Sequence, residues 1–347
     1  MMSVKFLARL AVALMACVPI VLPTWAADVT APSAGKQYRI AMLLYRGETD
    51  AERGFRKYLQ SRNVNVEYIV RDASEDPKRF PEIVKEFKSL KPDLIYAFGT
   101  GATLALCGRA DQQSDARFIT NTPVVFNIVA DPIGSGITNQ LKSTERNITG
   151  VSHLVPLDSQ LAALKAAANI KSIGVIYSLN EKNAVLSADA LAAAAGKSGY
   201  SVVRYPVVAE QGADDLSGLK SAIAKIQADK PDLLYLPSDS FLIRHADLVS
   251  DGLKKARIPS MSATETPIRK NGLTMGLVSP YVNAGALAGH KAYQILIEGK
   301  NPADIPVSAL DKFAFILNMK SALDVGFYPK IRALTFAEII NADLTVQ

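Results

Sequence analysis

The sequence predicts an α/β protein made of two lobes with the same topology. The first observation is a pair of nearly identical segments, KPDLIY from Lys91 and KPDLLY from Lys230. The second is that apolar, β-branched runs alternate with longer segments of helical period, which is typical of β-α units on a parallel sheet. The same β-α-β-α-β-α-β order occurs in both halves of the chain. We therefore predict two similar lobes, each supplying one wall of a ligand-binding cleft.

The first lobe is predicted to begin with a strand that is buried on both faces. This strand, YRIAMLLY (38–45), is a nearly continuous apolar run of the kind found in parallel sheets covered by helices. The predicted elements that follow are the helix TDAERGFRKYLQSR, the strand VNVEYIVRD, the helix PKRFPEIVKEFKSL, the strand PDLIYAFG, a helix from Thr100 and the strand PVVFNIVAD.

The second lobe is predicted to repeat this order. Its elements are the strand KSIGVIYS, the helix AVLSADALAAAAGKSG, the strand YSVVRYPVV, the helix DDLSGLKSAIAKIQAD, the strand PDLLYLPSD, the helix FLIRHADLVSDGL and the segment IPSMSATETP. The last segment parallels TPVVFNIVADP of the first lobe. Gly196 is the predicted C-terminal stop of its helix, because glycine commonly ends helices.

The C-terminal part of the chain adds strands to both predicted lobes. It contains the strand LTMGLVSPY, the amphipathic helix VNAGALAGHKAYQILIEGK, the strand FAFILN and the helix MKSALDVGF. Because these elements follow two complete lobes, we expect the chain to cross between the lobes more than once.

The N-terminus has the features of a secretory signal peptide. The first ten residues carry Lys5 and Arg9 without an acid, and the apolar run LAVALMACVPIVLP and the small-residue segment TWAAD follow. The apolar run is short for a membrane span, which needs about 20 residues. We predict a signal peptide over residues 1–26, cleaved after Ala26 or Ala27, and a periplasmic protein. The box LMAC leaves lipid anchoring at Cys17 as the alternative, but the apolar run continues past that cysteine, which favours soluble export.

Composition excludes several classes of function. Beyond the predicted signal peptide the chain has one cysteine, Cys107, so no internal disulfide is expected. About 320 remaining residues fit two domains. The net charge of +6 is spread along the sequence without a basic and aromatic run, so no nucleic-acid partner is predicted. His153, His245 and His290 lie far apart in the sequence and form no metal-ligand spacing.

Motifs of catalysis are missing from the sequence. No G-x-S-x-G elbow or H-E-x-x-H segment occurs, Cys107 has no histidine close in sequence, and DPIGSGI lacks the lysine of a phosphate loop. We therefore predict a binding protein rather than an enzyme, with no cofactor and no metal.

The candidate binding residues directly follow the predicted strands. In parallel α/β sheets, ligands lie outside the carboxyl ends of the strands. The candidates in the first lobe are Tyr45, Arg46, Gly99, Thr100, Gly101, Ala102, Asn127 and Asp131. The candidates in the second lobe are Tyr177, Asn180, Glu181, Ser238, Asp239, Thr264 and Glu265.

Two of these candidates could take an anion. In FGTGATLAL, the glycines and the free amides at the start of the helix from Thr100 favour an anion, unless Thr100 is simply the N-cap. The G-x-G in this segment lacks the third glycine of a dinucleotide fingerprint, which Leu104 replaces. Arg46 could fork onto a carboxylate, or it could pair with Glu48 or Glu52.

Other candidates have a structural alternative of similar weight. Asp239 could accept a ligand ammonium or cap the following helix, and the two roles are compatible. Tyr45 and Tyr177 end equivalent strands, so they either face each other across the cleft or fill the cores of their lobes. His153 in TGVSHLVP lies near the first predicted crossing, and a lone histidine there is more often structural.

Several segments resemble the ABC-transporter substrate-binding proteins of the type I periplasmic-binding fold. They are PVVFNIVADPIGSGI, NITGVSHLVP, IKSIGVIYSLNEKNAVLS, IPSMSATETP, GALAGHKAYQILIEGKNPADIPV and FILNMKSALDVGF. The more similar branch of the family includes tryptophan- and tyrosine-binding proteins. The resemblance covers nearly the whole chain beyond the predicted signal peptide.

The resemblance implies two Rossmann-like, doubly wound lobes joined by a hinge of three crossovers, near 149–151, 277–281 and 305–315. Lobe one would comprise 36–149 plus about 278–305, and lobe two 150–277 plus about 306–340. A monomer would close its hinge on a small carboxylate-bearing solute, with an aromatic amino acid among the candidates. It would then deliver the solute to an ABC permease in the inner membrane.

The resemblance makes Thr100, Asp239 and the Asn180-Glu181 segment the most comparable contacts. The segments GTGAT, SLNEKNA and YRGETDAERGF depart from the family pattern. These departures leave the solute's identity open. The alternative function is a sensor that presents a small ligand to a membrane signalling receptor.

Overall fold

The computed structural model describes residues 36–112, 115–208 and 216–342. These residues form two β-sheets, each covered by helices on both faces. The predicted signal peptide, with its cleavage site and Cys17, lies outside the described residues. The strands of these ranges are β1 Tyr38–Leu44, β2 Val66–Asp72, β3 Leu94–Phe98, β4 Val124–Val129, β5 Ile148–Ser152, β6 Ser172–Ser178, β7 Ser201–Val207, β8 Leu233–Leu236, β9 Ser260–Ser262, β10 Met275–Val278, β11 Ser308–Ala309, β12 Ala314–Asn318 and β13 Ala337–Ile340.

The helices connect these strands in the alternating order that the sequence predicts. They are α1 Asp50–Ser61, α2 Phe80–Leu90, α3 Gly99–Cys107, α4 Leu157–Ala167, α5 Lys182–Lys197, α6 Ser217–Asp229, α7 Ser240–Arg244, α8 Ala246–Ala256, α9 Glu265–Lys270, α10 Tyr281–Leu296, α11 Met319–Asp324 and α12 Ile331–Leu334. Short 3₁₀ turns lie at Pro77–Arg79, Ala110–Gln112 and Pro302–Asp304.

Lobe one is built on a parallel sheet with the strand order β11-β5-β4-β3-β1-β2. Alternate residues of β1 point to opposite faces. Ala41 and Leu43 pack with α2 and α3, whereas Ile40 and Met42 pack with α1 and α10. The sheet is therefore buried on both sides, as the continuous apolar run of β1 predicts.

Lobe two has the strand order β13-β12-β10-β9-β8-β6-β7, and only the β10–β12 pair is antiparallel among the pairings described. One face packs against α4 and α5, and the other against α6 and α8. Both lobes are doubly wound, which confirms the predicted α/β fold class.

The chain passes between the two sheets three times. It leaves lobe one after β5 to form α4, returns after β10 to form α10, and leaves again between β11 and β12. The strand β5 lies in the lobe-one sheet, although the sequence placed the lobe boundary at 149. Likewise β11 pairs with β5, whereas the second segment of lobe two was expected to begin near 306. A two-residue strand leaves no periodic pattern that a sequence could reveal.

Helices α1 and α10 approach closely enough for their backbones to touch. A Cβ atom added to Gly285 would lie 1.9 Å from the carbonyl oxygen of Ala51, and one added to Gly54 would lie 2.0 Å from that of Val282. Glycine is required at both positions because any side chain would separate the helices. This contact fixes the first residue of α10, Tyr281, at the cleft.

Two local predictions differ from the structure. The helix α5 runs through Gly196 to Lys197, and the residue with left-handed backbone is Gly199, with φ +82°. The predicted helix FLIRHADLVSDGL is two helices, α7 and α8, which break at His245. Among the described residues, no helix combines the length and the apolar character that crossing a bilayer requires.

Candidate functional site

The carboxyl ends of the two sheets face each other across a cleft, and a few contacts bridge it. Arg244 of α7 lies 2.6 Å from Glu75, which follows β2, measured from Nε to Oε2. On one flank, a Cβ built on Gly134 of lobe one would come within 2.9 Å of Leu186 Cδ1 on α5. Residues that follow strands of both lobes therefore lie within reach of one small molecule.

Tyr45 lines the lobe-one wall directly after β1. Its hydroxyl donates to the carbonyl oxygen of Glu75 at 3.0 Å, and its ring lies 6.1 Å from the ring of Phe80. Burial raises the pKa of the Tyr45 hydroxyl, and the charges of Arg244 and Glu181 from the other lobe also act on it. Tyr45 therefore lies where the two lobes meet.

Arg46 is a half-buried cation whose contacts are aromatic. Its Nη2 lies 3.3 Å from the hydroxyl of Tyr281, and its guanidinium lies over the ring of Phe98, 5.4 Å from the centroid. The acids considered as partners are engaged elsewhere, Glu48 with Arg56 and Glu52 with Thr49 and Tyr96. Within the described ranges, no carboxylate lies at ion-pair distance from Arg46.

The start of α3 offers backbone amides at the end of β3. Phe98 is the N-cap and supplies no side-chain hydrogen bond, so Thr100 is a first-turn residue and not the cap. Gly99 has a φ of +82°, which favours glycine, and Gly101 is exposed. Ala102, by contrast, is buried in the lobe-one core.

Asn127 lies inside lobe one and not at the cleft surface. Its Nδ2 donates to the hydroxyl of Tyr96 at 3.1 Å, its Oδ1 accepts from the amide of Ile128, and Tyr96 donates to Glu52 at 2.7 Å. Ile128 has a φ of +56° at a bulge of β4, a costly conformation for a β-branched residue. Asp131 is half-buried and closes the next turn by accepting from the amide of Gly134 at 2.8 Å.

Asp239 is fully buried, and both of its oxygens accept hydrogen bonds from this chain. Oδ2 accepts from the amide and the hydroxyl of Ser178, each at 2.7 Å, and Oδ1 accepts from the amide of Leu242 at 2.9 Å. The carboxylate is therefore the N-cap of α7, the structural alternative considered for it. Because it already accepts three hydrogen bonds from its own lobe, this carboxylate has little capacity left for a solute donor.

Glu181 is the half-buried acid of lobe two. Its oxygens accept from the amides of Ser240 and Phe241, both at 2.9 Å. Burial raises the pKa of Glu181 to about 7, and the neighbouring Asp239 charge adds to the rise. Because a carboxylate can accept about four hydrogen bonds, Glu181 retains capacity for a further donor.

The remaining residues after β6 and β8 differ in exposure. Asn180 is exposed, and Ser238 is half-buried, with its carbonyl oxygen accepting from Asn183 Nδ2 at 2.7 Å. Tyr177 lies in the core of lobe two, against α4 and α5. It does not face Tyr45, because strand alternation points its side chain to the covered face of the sheet.

The residues after β9 connect lobe two to the hinge. Thr264 is buried, and its amide donates to Ser262 Oγ at 3.2 Å. Glu265 accepts from the amide of Tyr281 at 2.8 Å and from Arg269 Nε at 3.1 Å. Tyr281 begins the helix that packs on lobe one. Its hydrogen bond to Glu265 therefore links lobe two to that helix at the second crossover.

The structure adds residues that the sequence analysis did not propose as ligand contacts. Glu75 and Arg244 bridge the two lobes, and Phe98, Tyr281 and His153 lie buried beside Arg46 or in contact with its partners. The strand-end rule would have found Glu75 and Phe98. No sequence signal points to Arg244 or Tyr281, because tertiary packing alone brings these helix residues to the cleft.

A cavity of about 180 Å³ lies at the flank of the cleft, beside the first crossover. Asp131 and Ala130 of lobe one line it, together with Leu186, Gln160 and Tyr235 of lobe two. Over the residues described, no group of three or more histidine, cysteine or acidic side chains is arranged to hold a metal ion.

Residues 45–336 match the family described as ABC transporter substrate binding protein. The chain belongs to this family. That assignment, together with the two doubly wound lobes, confirms the predicted family and its type I periplasmic-binding fold.

Proteins similar to this substrate-binding protein include ones that bind amino acids. A tyrosine-binding protein of Clostridioides difficile is 29% identical over 289 residues, which cover 82% of this chain and 79% of the relative. A domain from Streptococcus pneumoniae in complex with L-Trp is 22% identical with a TM-score of 0.77, covering 88% of this chain and all of the other. An open, ligand-free substrate-binding protein with adhesive properties from Clostridium difficile is 26% identical with a TM-score of 0.65, over 87% and 99% of the two chains.

Proposed function

We propose that this substrate-binding protein is the extracytoplasmic receptor of an ABC importer and captures a small carboxylate-bearing solute between its lobes. The observation that carries the proposal is Arg46. It is a half-buried cation at the carboxyl end of β1, held between Phe98 and Tyr281, without a carboxylate partner among the described residues. A guanidinium held in this way is suited to bind a carboxylate through two parallel hydrogen bonds.

An amino acid is the favoured solute class. The ammonium would be bound by Glu181, because the oxygens of Asp239 are buried and used by this chain, whereas Glu181 is accessible and has spare acceptor capacity. The amides of Gly99 and Thr100 lie at the same edge of lobe one and offer a second set of donors to the anion.

An aromatic side chain on the solute is supported by the residues around the cleft. Near the residues that bridge the lobes, the ring of Tyr45 packs on that of Phe80, the ring of Phe98 on that of Tyr281, and the ring of Phe241 on that of His245. Aromatic pairs are worth about 0.5–1.5 kcal/mol beyond the area they bury. Two proteins similar to this one are a tyrosine-binding protein and a domain that binds L-Trp, which agrees with this choice.

Capture would couple binding to hinge closure. A solute that contacts both lobes favours the closed state by its difference in affinity for the closed and open conformations. The three crossovers act as the hinge, and the closed monomer would dock on a membrane permease. The solute would be bound and released without chemical conversion.

A thermal-shift screen tests the proposal. The protein is expressed from the full-length reading frame, unfolded and refolded to remove co-purified solute, and heated with amino acids, with 3-phenylpropionate and with phenethylamine. A solute at 100 times its Kd stabilises the folded state by about 2.7 kcal/mol, which raises Tm by several degrees. We expect shifts with an aromatic amino acid and a smaller shift with 3-phenylpropionate. If none of the carboxylates in the screen raises Tm, the proposal is contradicted.

A further inference from the structure

His153 is a buried histidine at the hinge end of the cleft. It follows β5 at the first crossover, its exposed fraction is 1%, and its backbone amide donates to the carbonyl oxygen of Val129 at 3.2 Å. The backbone hydrogen bond fixes the residue beside the strained end of β4, where Ile128 has positive φ. The imidazole therefore has a defined place in the fold.

Neither ring nitrogen of His153 makes a hydrogen bond of good geometry among the described residues, although the Val129 carbonyl lies near enough to raise the pKa of the imidazole against the larger effect of burial. A neutral imidazole carries one donor and one acceptor, and leaving either unpaired inside a protein is costly. Ser279 Oγ, in the second crossover, is also buried and unpaired within the described part of the chain. The hinge end of the cleft thus contains polar atoms that the described chain does not satisfy.

Arg46 and Tyr281 stand beside this histidine. The ring of Tyr281 lies edge-on to the imidazole, with centroids 6.2 Å apart, and the Tyr281 hydroxyl lies 3.3 Å from Arg46 Nη2. Burial, followed by the charge of Arg46, lowers the pKa of His153 to about 4. At neutral pH the imidazole is therefore uncharged and can donate one hydrogen bond next to a cation that lacks a carboxylate.

We propose that His153 contacts the solute and donates a hydrogen bond to the carboxylate that Arg46 binds. This inference rests on the proposed function and adds a residue that would select for a carboxylate at the hinge end of the cleft. Arg46, His153 and Tyr281 come from three separate elements, namely the end of β1, the end of β5 and the start of α10. This cluster therefore forms only when the hinge segments are in place.

The test compares two substitutions at His153 with a control on the outer surface of lobe one. His153→Phe keeps a ring of similar size without hydrogen bonds, His153→Gln keeps a donor, and His290→Phe changes a histidine bonded to Tyr58 away from the cleft. The probes are L-tyrosine, L-tryptophan and 3-phenylpropionate. The readouts are Kd and the ring ¹⁵N resonances of the histidines, assigned from the same variants.

We expect H153F to bind the probes about tenfold more weakly or worse, and H153Q to lose less than H153F. The control should bind as the wild type does. The ring resonances of His153 should shift on binding, whereas those of His290 should not.

Two results would overturn the inference in different ways. If the wild type binds a probe, H153F binds it equally and the imidazole resonances do not move, His153 is a structural residue and the proposed function stands. If the refolded wild type binds none of the probes or the screened carboxylates, the proposed function fails and this inference fails with it.

Discussion

Arg244 and Glu75 join the two lobes directly, with Arg244 Nε 2.6 Å from Glu75 Oε2. The Nε–H does not point at that oxygen, so the contact is an ion pair, while Arg244 Nη2 donates to the carbonyl oxygen of Glu75. That carbonyl also accepts from Tyr45. Glu75 and the preceding Ser74 have φ values of +62° and +52°, so the loop holds an unfavourable conformation where the other lobe meets it. An opening of the cleft would break this pair.

Removing this pair should weaken solute binding modestly. Side chains that are about 30% exposed form ion pairs worth up to about 1 kcal/mol, so Arg244→Gln and Glu75→Gln should each raise Kd up to about fivefold. A double-mutant cycle by titration calorimetry measures the coupling. Additive single effects would show that the pair does not contribute to closure.

Binding of an amino acid should become tighter as the pH rises through 7. The pKa of Glu181 is raised to about 7 without solute, so below that pH much of the carboxyl is protonated and cannot pair with an ammonium. An ammonium favours the ionised form, so binding releases protons. Calorimetry in buffers of different ionisation enthalpy at pH 6 measures this release. Glu181→Gln should abolish it, and an unchanged release in that variant would contradict the assignment.

Stability should fall in acid because of His153. The folded-state pKa is depressed to about 4 from 6.5, so the unfolded chain binds the proton more readily. The stabilisation is present above pH 6.5 and is lost as the pH falls towards 4, by at most about 3 kcal/mol. Urea unfolding at pH 7.5 and 5 should show a smaller loss in His153→Phe than in the wild type.

The comparison must be made between variants at each pH, because Glu181 acts in the opposite sense. Its pKa is raised, so its contribution to stability is present below its unfolded-state pKa and is lost as the pH rises through about 7. An equal loss in acid for the wild type and H153F would show that the histidine is not buried in its neutral form.

The α1–α10 contact should tolerate no side chain. Gly285→Ala would place a methyl group 1.9 Å from the Ala51 carbonyl oxygen, so the helices must separate at a cost of about 2 kcal/mol or more. The matched control is Gly196→Ala on α5, where nothing lies within 4 Å of the added atom. That change should stabilise by about 0.5–1 kcal/mol. Equal effects of the two substitutions on urea unfolding would contradict the close approach.

Much of the fold was predictable because its strands and helices have clear periodicity. The buried apolar run forms β1, and each of the two KPDL segments leads into a strand, β3 or β8. The boundaries were less accurate, since Gly196 lies within α5 and β11 is two residues long. The short strand β11 forms through its pairing with β5, which no local sequence pattern encodes.

The candidate site was predictable in position more than in role. The strand-end rule selected the loops of Tyr45, Arg46 and Glu181, and in the structure Arg46 and Glu181 both act electrostatically on Tyr45. It could not tell that Asp239 uses both oxygens within its own lobe, or that the ring of Tyr177 enters the core. Those outcomes depend on side-chain direction and on distant partners, such as Ser178 for Asp239.

The most direct test of a carboxylate receptor is titration calorimetry of the solute that gives the largest thermal shift. The refolded wild type is compared with Arg46→Gln and with Arg332→Gln, an exposed arginine of α12. Losing hydrogen bonds to a charged group should weaken binding about 100-fold or more in R46Q, while R332Q should match the wild type. Equal affinity of R46Q and the wild type would contradict the assignment of the carboxylate to Arg46.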